Sequence, residues 1–173
     1  MMEKAQRGSH RARSFLYLFF ILIVVWLALT SSYQWQELTV GCIISLVLAL
    51  ILHKNYLALG FPPLSVKRIL FSVIYLVVLF KEIILANIDV AYRIIHPRMP
   101  IKPGVVMIKT ELKQDIAKLI LANSITLTPG TFTLDIKGDT LLIHWINVRS
   151  EETGEATEAI GRRFEKYLKV IFS

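Results

Sequence analysis

The side chains able to do acid–base, nucleophilic or metal chemistry are few in this chain of 173 residues, and they stand apart. His10, His53, His96 and His144 are dispersed, with no two at a spacing that brings their imidazoles to one ion. Cys42 is the single cysteine, so a disulfide framework and a cysteine metal site are excluded by arithmetic. It lies in an apolar run and reads as a small packing residue. Neither a Gly-rich phosphate loop nor a nucleophile elbow is present. Thr128 or Thr131 as a nucleophile would require a general base, and none stands near them in sequence. No catalytic, cofactor-binding or metal-binding residue is therefore expected. What remains is Lys81-Glu82, two charges inside an otherwise apolar stretch. One reading is a charged contact to a neighbouring subunit or a step of a proton or cation path. The plainer reading is that the pair marks where a helix reaches the membrane interface, the long Lys stem snorkelling outward.

The elements that would carry these residues are set by apolar patterning. Hydrophobic residues make up 54% and charged residues 19% of the chain, against about 45–50% and about 25% in ordinary soluble domains. Residues 14–36 contain no charge, and a second apolar run, 38–52, follows at once. A spanning helix needs about 20 apolar residues to cross roughly 30 Å of hydrocarbon. The segment 31–37, polar and aromatic, suits a turn in the headgroup layer, where Tyr and Trp rings prefer to lie. Residues 15–60 are thus expected to form a transmembrane helical hairpin. A basic start before an apolar run also describes a signal peptide, but Ala28-Leu29-Thr30-Ser31 is a poor cleavage site and the second run favours a hairpin.

The net charge of +7 is unevenly placed. Residues 1–14, a basic tail, hold Lys4, Arg7, Arg11 and Arg13 against Glu3, and the link after the hairpin holds Lys54, Lys67 and Arg68 with no acid. The remainder is nearly balanced. Positive charge on the side shared by the N-terminus and the second loop is the pattern of a cytoplasmic face in a multi-pass cell-membrane protein, and no nucleic-acid groove is implied.

Prolines 62 and 63 break any helix. Residues 65–96 then run without Gly or Pro as one long helix of two characters, apolar all round from 69 to 80, and afterwards carrying Glu82, Asp89, Arg93 and His96 on one side. It either spans or lies along the inner surface as an amphipathic helix. Two full spans, with the C-terminal domain cytoplasmic, are favoured over three, because the strictly uncharged stretch before Lys81 is short for a span.

Residues 96–104, with three prolines, form a short stiff linker to a small α+β domain, 104–173, in the order strand, helix, strand, strand, helix. Residues 105–112 suit a strand, and 115–123 a helix with Ile116, Leu119, Ile120 and Asn123 at helical spacing. Pro129-Gly130 suits a type II turn. Phe132, Leu134 and Ile136 alternate with polar residues as a half-buried strand, and Lys137-Gly138-Asp139 connects it to a partner over 141–148. A last helix, 154–172, gathers Ala156, Ala159, Ile160, Phe164, Tyr167, Leu168 and Ile171 on one apolar face. About 70 residues give a marginal core, so this domain is expected to lean on the long helix or on a partner.

The string from Leu121 to Thr131, a helix end, a hydroxyl-rich bend and a Pro-Gly turn, is explicable as turn chemistry alone. Followed by Phe132-Thr133-Leu134-Asp135, it also closely resembles the most characteristic segment of the E subunit of Mrp-type multisubunit sodium/proton antiporters. Within it stand Asn123, Thr126, Thr128, Pro129, Gly130 and Thr131. The resemblance extends to the hairpin, to Lys81-Glu82-Ile83 and Ala86-Asn87, and to the segment 98–104; the charged start, 1–13, departs from it. It implies an accessory, non-catalytic scaffold subunit of a cation/proton exchanger whose larger subunits carry the ion path. Lys81, Glu82 and Asn87 are then candidate contacts to other integral membrane subunits, with the lipid bilayer as the remaining partner. Related subunits occur in the antiporter-like modules of membrane-bound hydrogenases and ferredoxin-coupled pumps. A free-standing membrane-anchored binding or regulatory module is the competing class.

Overall fold

A computed structural model of the chain describes residues 2–31, 34–58 and 65–173, with side chains described from residue 15 and not over 53–58. The Pro62-Pro63 break, Ser32 and Tyr33 of the hairpin turn, and the side chains of His10, His53 and the basic tail lie outside the described residues. The chain divides into two units, residues 1–61 and 62–173.

In the first unit, α1 (Met2–Thr30) and α2 (Trp35–Ala58) pack on each other. The backbone of α1 is already helical over the segment read as a tail. Contact is close because α2 presents Gly41, Ser45 and Ala49, each buried and four residues apart. The Trp26 indole of α1 lies over Gly41, where a Cβ would collide with its ring. The same ring donates from Nε1 to the Glu37 carbonyl across 3.1 Å. Cys42 is exposed instead, a correction to its packing assignment, since the small-residue stripe of α2 leaves position 42 one step off the contact line. Among the described residues, 35–52 of α2 and 66–95 are long and apolar enough to cross a membrane, while the apolar part of α1, Phe15–Thr30, is shorter.

The second unit is built on α3 (Val66–Ile95), which starts at Ser65, whose hydroxyl accepts from the Arg68 amide. Arg68, Phe71, Ser72, Tyr75, Val78, Leu79, Glu82, Ile83, Ala86, Val90, Arg93 and His96 are its more covered positions. Their 3–4 spacing makes one stripe along the whole helix. The opposite face is exposed and apolar, with Ile69, Val73, Val77, Phe80, Ile84, Ile88 and Ile95.

Against the stripe packs the small domain. Strands β1 (Gly104–Lys109), β2 (Thr131–Lys137) and β3 (Thr140–Trp145) form an antiparallel sheet in the order β1-β3-β2, with α4 (Asp115–Leu127) between β1 and β2. The chain ends in α5 (Thr153–Ala156), a π-helical turn (Thr157–Gly161) and α6 (Arg162–Ile171). The core holds Val106, Ile108, Leu121, Ile125, Leu141, Ile143, Ile160, Phe164 and Leu168, and Tyr75 of α3 enters it edge-on to Phe164, with centroids 6.5 Å apart. The domain does lean on the long helix, as its size requires.

Several faces differ from the sequence expectation. In α4 the buried positions are Ala117, Leu121, Ala122, Ser124 and Ile125, while Leu119 is 49% exposed; the buried face pairs two bulky residues with three small ones and lies off the Leu119 position. The helix also absorbs the expected bend, because the hydroxyls of Ser124 and Thr128 bond to carbonyls four residues back. In β2, Thr131 and Thr133 turn inward while Phe132 and Leu134 are about half exposed. A bulge between Thr133 and Asp135 then switches the face and turns Ile136 toward the core. In the last helix the π turn shifts the phase, so Ala159 is exposed while Ala156, Ile160, Phe164 and Leu168 are buried.

Candidate functional site

The family-like segment comes together with the polar end of α3 around a cleft of about 280 Å³. Its floor is the turn Thr128-Pro129-Gly130-Thr131, closed by the Thr131 amide donating to the Thr128 carbonyl over 3.2 Å. Gly130 has φ +90, as the third position of a type II turn requires. Its carbonyl accepts from the Ile146 amide, which ties the turn to the end of β3. The Thr128 and Thr131 hydroxyls are both used on α4 carbonyls, of Ser124 and Ile125 respectively. They cap a helix end rather than face a substrate. Asn123 and Thr126 lie within α4, and the Thr126 hydroxyl accepts from the Thr133 amide.

Two ion pairs build the walls. Glu82 of α3 accepts from Arg163 of α6 at 2.5 Å, and Arg163 also donates from Nε to the Ile160 carbonyl at 3.3 Å. Asp89 holds Arg93 through both carboxylate oxygens, at 2.7 and 3.0 Å. Arg93 in turn donates to the Pro100 carbonyl at 2.6 Å, and to Asn147 when that amide oxygen is turned toward it. Pairing of Lys102 with Ile146 and Val148 ties the linker to the chain just after β3, so the proline-rich segment is anchored at Pro100 and Lys102. Arg149 stands exposed in the lining, near enough to Asp89 to act on it electrostatically.

The other sequence candidates separate. Lys81 is exposed on the flank of α3. Asn87 is exposed on the apolar side, its amide bonded back to the Ile83 carbonyl at 2.8 Å. His144 is exposed on the outer face of the sheet, paired across to Val105 and Phe132. His96 caps α3, its Nδ1 accepting from the Arg98 amide. Among the described residues, no three His, Cys, Asp or Glu side chains gather to hold a metal ion.

Sequence reasoning missed Glu165. Its carboxylate, 1% exposed, accepts from the Thr110 hydroxyl at 2.8 Å and the Glu111 amide at 2.5 Å, closing the β1–α4 connection. The available signal was an acid adjoining the apolar face of the last helix. Nearby, Glu111 receives Lys169 and Arg162, whose hydrogen bonds hold its carboxyl below the usual carboxylate range. Glu158 and Glu111 together push the Arg162 guanidinium further up. The arrangement is that of a braced joint between a helix and a domain, with one charged cleft at its edge.

Comparison with a solved structure agrees with this architecture. A chain of the membrane-bound sulfane sulfur reductase, an archaeal respiratory membrane complex, superposes with a TM-score of 0.83 at 46% identity, over 92% of this chain and 99% of that one. A chain of the Mrp complex from Dietzia sp. DQ12-45-1b gives 0.42 at 23% identity, over 56% of this chain and 92% of that one. The E subunit of the Na(+)/H(+) antiporter of Alkalihalophilus pseudofirmus is 35% identical over 135 residues, 76% of this chain and 82% of its own length. The E1 subunit of the Na(+)/H(+) antiporter of Staphylococcus aureus strain Newman is 36% identical over 155 residues, 88% of this chain and 93% of its own. The family model MNHE matches residues 19–171, and the chain belongs to that family of Na+/H+ ion antiporter subunits.

Proposed function

We propose that this chain is a non-catalytic scaffold subunit of a multisubunit cation/proton antiporter, its hairpin crossing the membrane among larger subunits that carry the ions. α3 lies along the cytoplasmic membrane surface, and the α+β domain stands on the same side as the N-terminus.

The observation that carries this reading is the stripe along α3. Domain contacts run from Arg68, which bonds the Ser173 carbonyl, to Arg93, which bonds the Pro100 carbonyl. At 1.5 Å per residue that is about 38 Å, longer than the roughly 30 Å of hydrocarbon. Were α3 to cross, part of the domain with its charged surface would have to sit in lipid, at about 2.5–3.5 kcal/mol for each central charge. Laid in the interface, the same helix gives its apolar face to lipid or a neighbouring subunit and its other face to the domain. Hydropathy alone ranks α3 as a span; the covered stripe argues for the surface.

The test uses a Cys42→Ser background with a cysteine at Glu151, labelled with a membrane-impermeant maleimide. Labelling is expected in inside-out and not in right-side-out vesicles, and the reverse result would put the domain outside. Co-purification in mild detergent should retain several large hydrophobic antiporter subunits, whereas retention of none would favour a free-standing module. A second reading, membership of a redox-driven membrane complex, is supported by the higher identity to the reductase chain, 46% against 35–36% for the two antiporter subunits. Iron–sulfur or reductase proteins in the same eluate would select it.

A further inference from the structure

We infer that the cleft beside α3 binds the phosphate headgroup of an anionic phospholipid, with the acyl chains lying along the flank of the helix. The inference rests on the placement of α3 at the membrane surface. Charge accounting comes first. Arg163 answers Glu82 and Arg93 answers Asp89, while Arg149 forms no hydrogen bond or ion pair among the described residues. One guanidinium is thus left over at an open polar cleft. Arg163 donates from Nε and Nη1 to partners within the chain, and a guanidinium has five N–H donors in a fork that suits phosphate.

Continuity with an apolar surface selects the lipid. Leu85 lines the cleft and is 49% exposed. From it the flank continues through Ile88 and Tyr92, both exposed, onto the lipid-facing side. Lys81, exposed and one turn before Leu85, adds a second cation to that flank. A phospholipid presents an anion joined to hydrocarbon, and this edge offers cations joined to an apolar strip. A volume of about 280 Å³ admits a headgroup but not the chains, which therefore stay on the helix flank.

The full chain, purified in mild detergent, is titrated with phosphatidylglycerol and with phosphatidylcholine, and bound lipid is counted by native mass spectrometry. Preferential retention of phosphatidylglycerol is expected. Arg149→Gln should weaken it about fivefold, the worth of one basic residue near an anionic surface, while Arg149→Lys keeps most of it. Arg149 is exposed, so an unchanged melting temperature is the folding control. Equal retention of the two lipids, or no effect of Arg149→Gln, overturns the inference. Displacement of phosphatidylglycerol by inorganic phosphate at equal concentration assigns the cleft to a free anion, and displacement only by an acidic peptide assigns it to a protein carboxylate; either overturns the lipid. Failure of the underlying placement is read separately, from maleimide labelling of Glu151→Cys in the Cys42→Ser background. Labelling from the inner side with no lipid preference sinks only the headgroup site, and labelling from the outer side, as a membrane-crossing α3 would give, sinks the surface placement of α3.

Discussion

Glu82 and Arg163 meet at 2.5 Å although 81 positions separate them, and they join the middle of α3 to the start of α6. Both side chains are largely covered, 19% and 35% exposed. Glu82 therefore has its partner within its own chain, while Lys81 beside it faces outward.

Glu82→Leu should lower stability by about 1–2 kcal/mol, because it leaves Arg163 half-covered without its counter-charge. Arg163→Met alone should cost a similar amount, and the double variant less than their sum. Chemical denaturation of the four proteins in detergent gives the coupling directly. Strict additivity would show that the pair contributes only as two separate side chains.

Gly130→Val should destabilise the domain by about 2 kcal/mol or more. A Cβ there would stand 2.9 Å from Ile146 Cγ2, on a residue held at φ +90, where β-branched side chains are strained. Gly138, at φ +61 with open space around it, should accept Asn with a change below about 0.5 kcal/mol, since Asn tolerates the left-handed region. Limited proteolysis separates the two outcomes.

Gly41→Leu should open the α1–α2 hairpin, because the Trp26 ring occupies the space its side chain needs. We expect a cost of about 1–3 kcal/mol for overpacking. With Trp35 and Trp145 replaced by Phe, Trp26 emission reports the change, and an unshifted spectrum would show the ring can move aside at little cost.

Acidification should weaken the domain through Glu111. Its carboxyl is held low by Lys169 and then Arg162. A lowered folded-state pKa gives stability that is present above the ordinary Glu value of about 4.3 and is lost as pH falls through the folded value. Glu111→Gln should lack this part of the acid loss, with the difference shrinking at high salt because the group is exposed. Melting temperatures measured from neutral to acid pH would decide it, and parallel curves for the two proteins would remove Glu111 from the account.

Element order and the separation of an apolar half from a mixed half were legible in the sequence, because runs of uncharged residues and turn residues at 130 and 138 are local signals. Which face of each element is buried was not. Leu119 and Phe132 look like core residues and are exposed, while Ala117 and Ser124 are buried beside Leu121 and Ile125 and Thr133 is half-buried. Those assignments depend on how closely α3 and α4 approach and on one bulge in β2, none of which is encoded in spacing. The cleft was half legible. Its turn was visible as Thr128-Pro129-Gly130-Thr131, but Arg149 and Arg163 come from segments 20 to 35 residues away and are gathered only by the fold.

The covered stripe of α3 also sets an order of events during synthesis. Its partners are late in the chain: Phe164 for Tyr75, Arg163 for Glu82, and the Ser173 carbonyl for Arg68. When α3 leaves the ribosome, the domain that will cover it does not yet exist, and to the insertion machinery it is a 30-residue apolar segment. Its fate is then a race between lateral entry into lipid and completion of the downstream domain. On the surface placement proposed for α3, variants that slow folding of that domain, such as Gly130→Val, should therefore yield molecules in which α3 has entered the lipid as well as unstable ones.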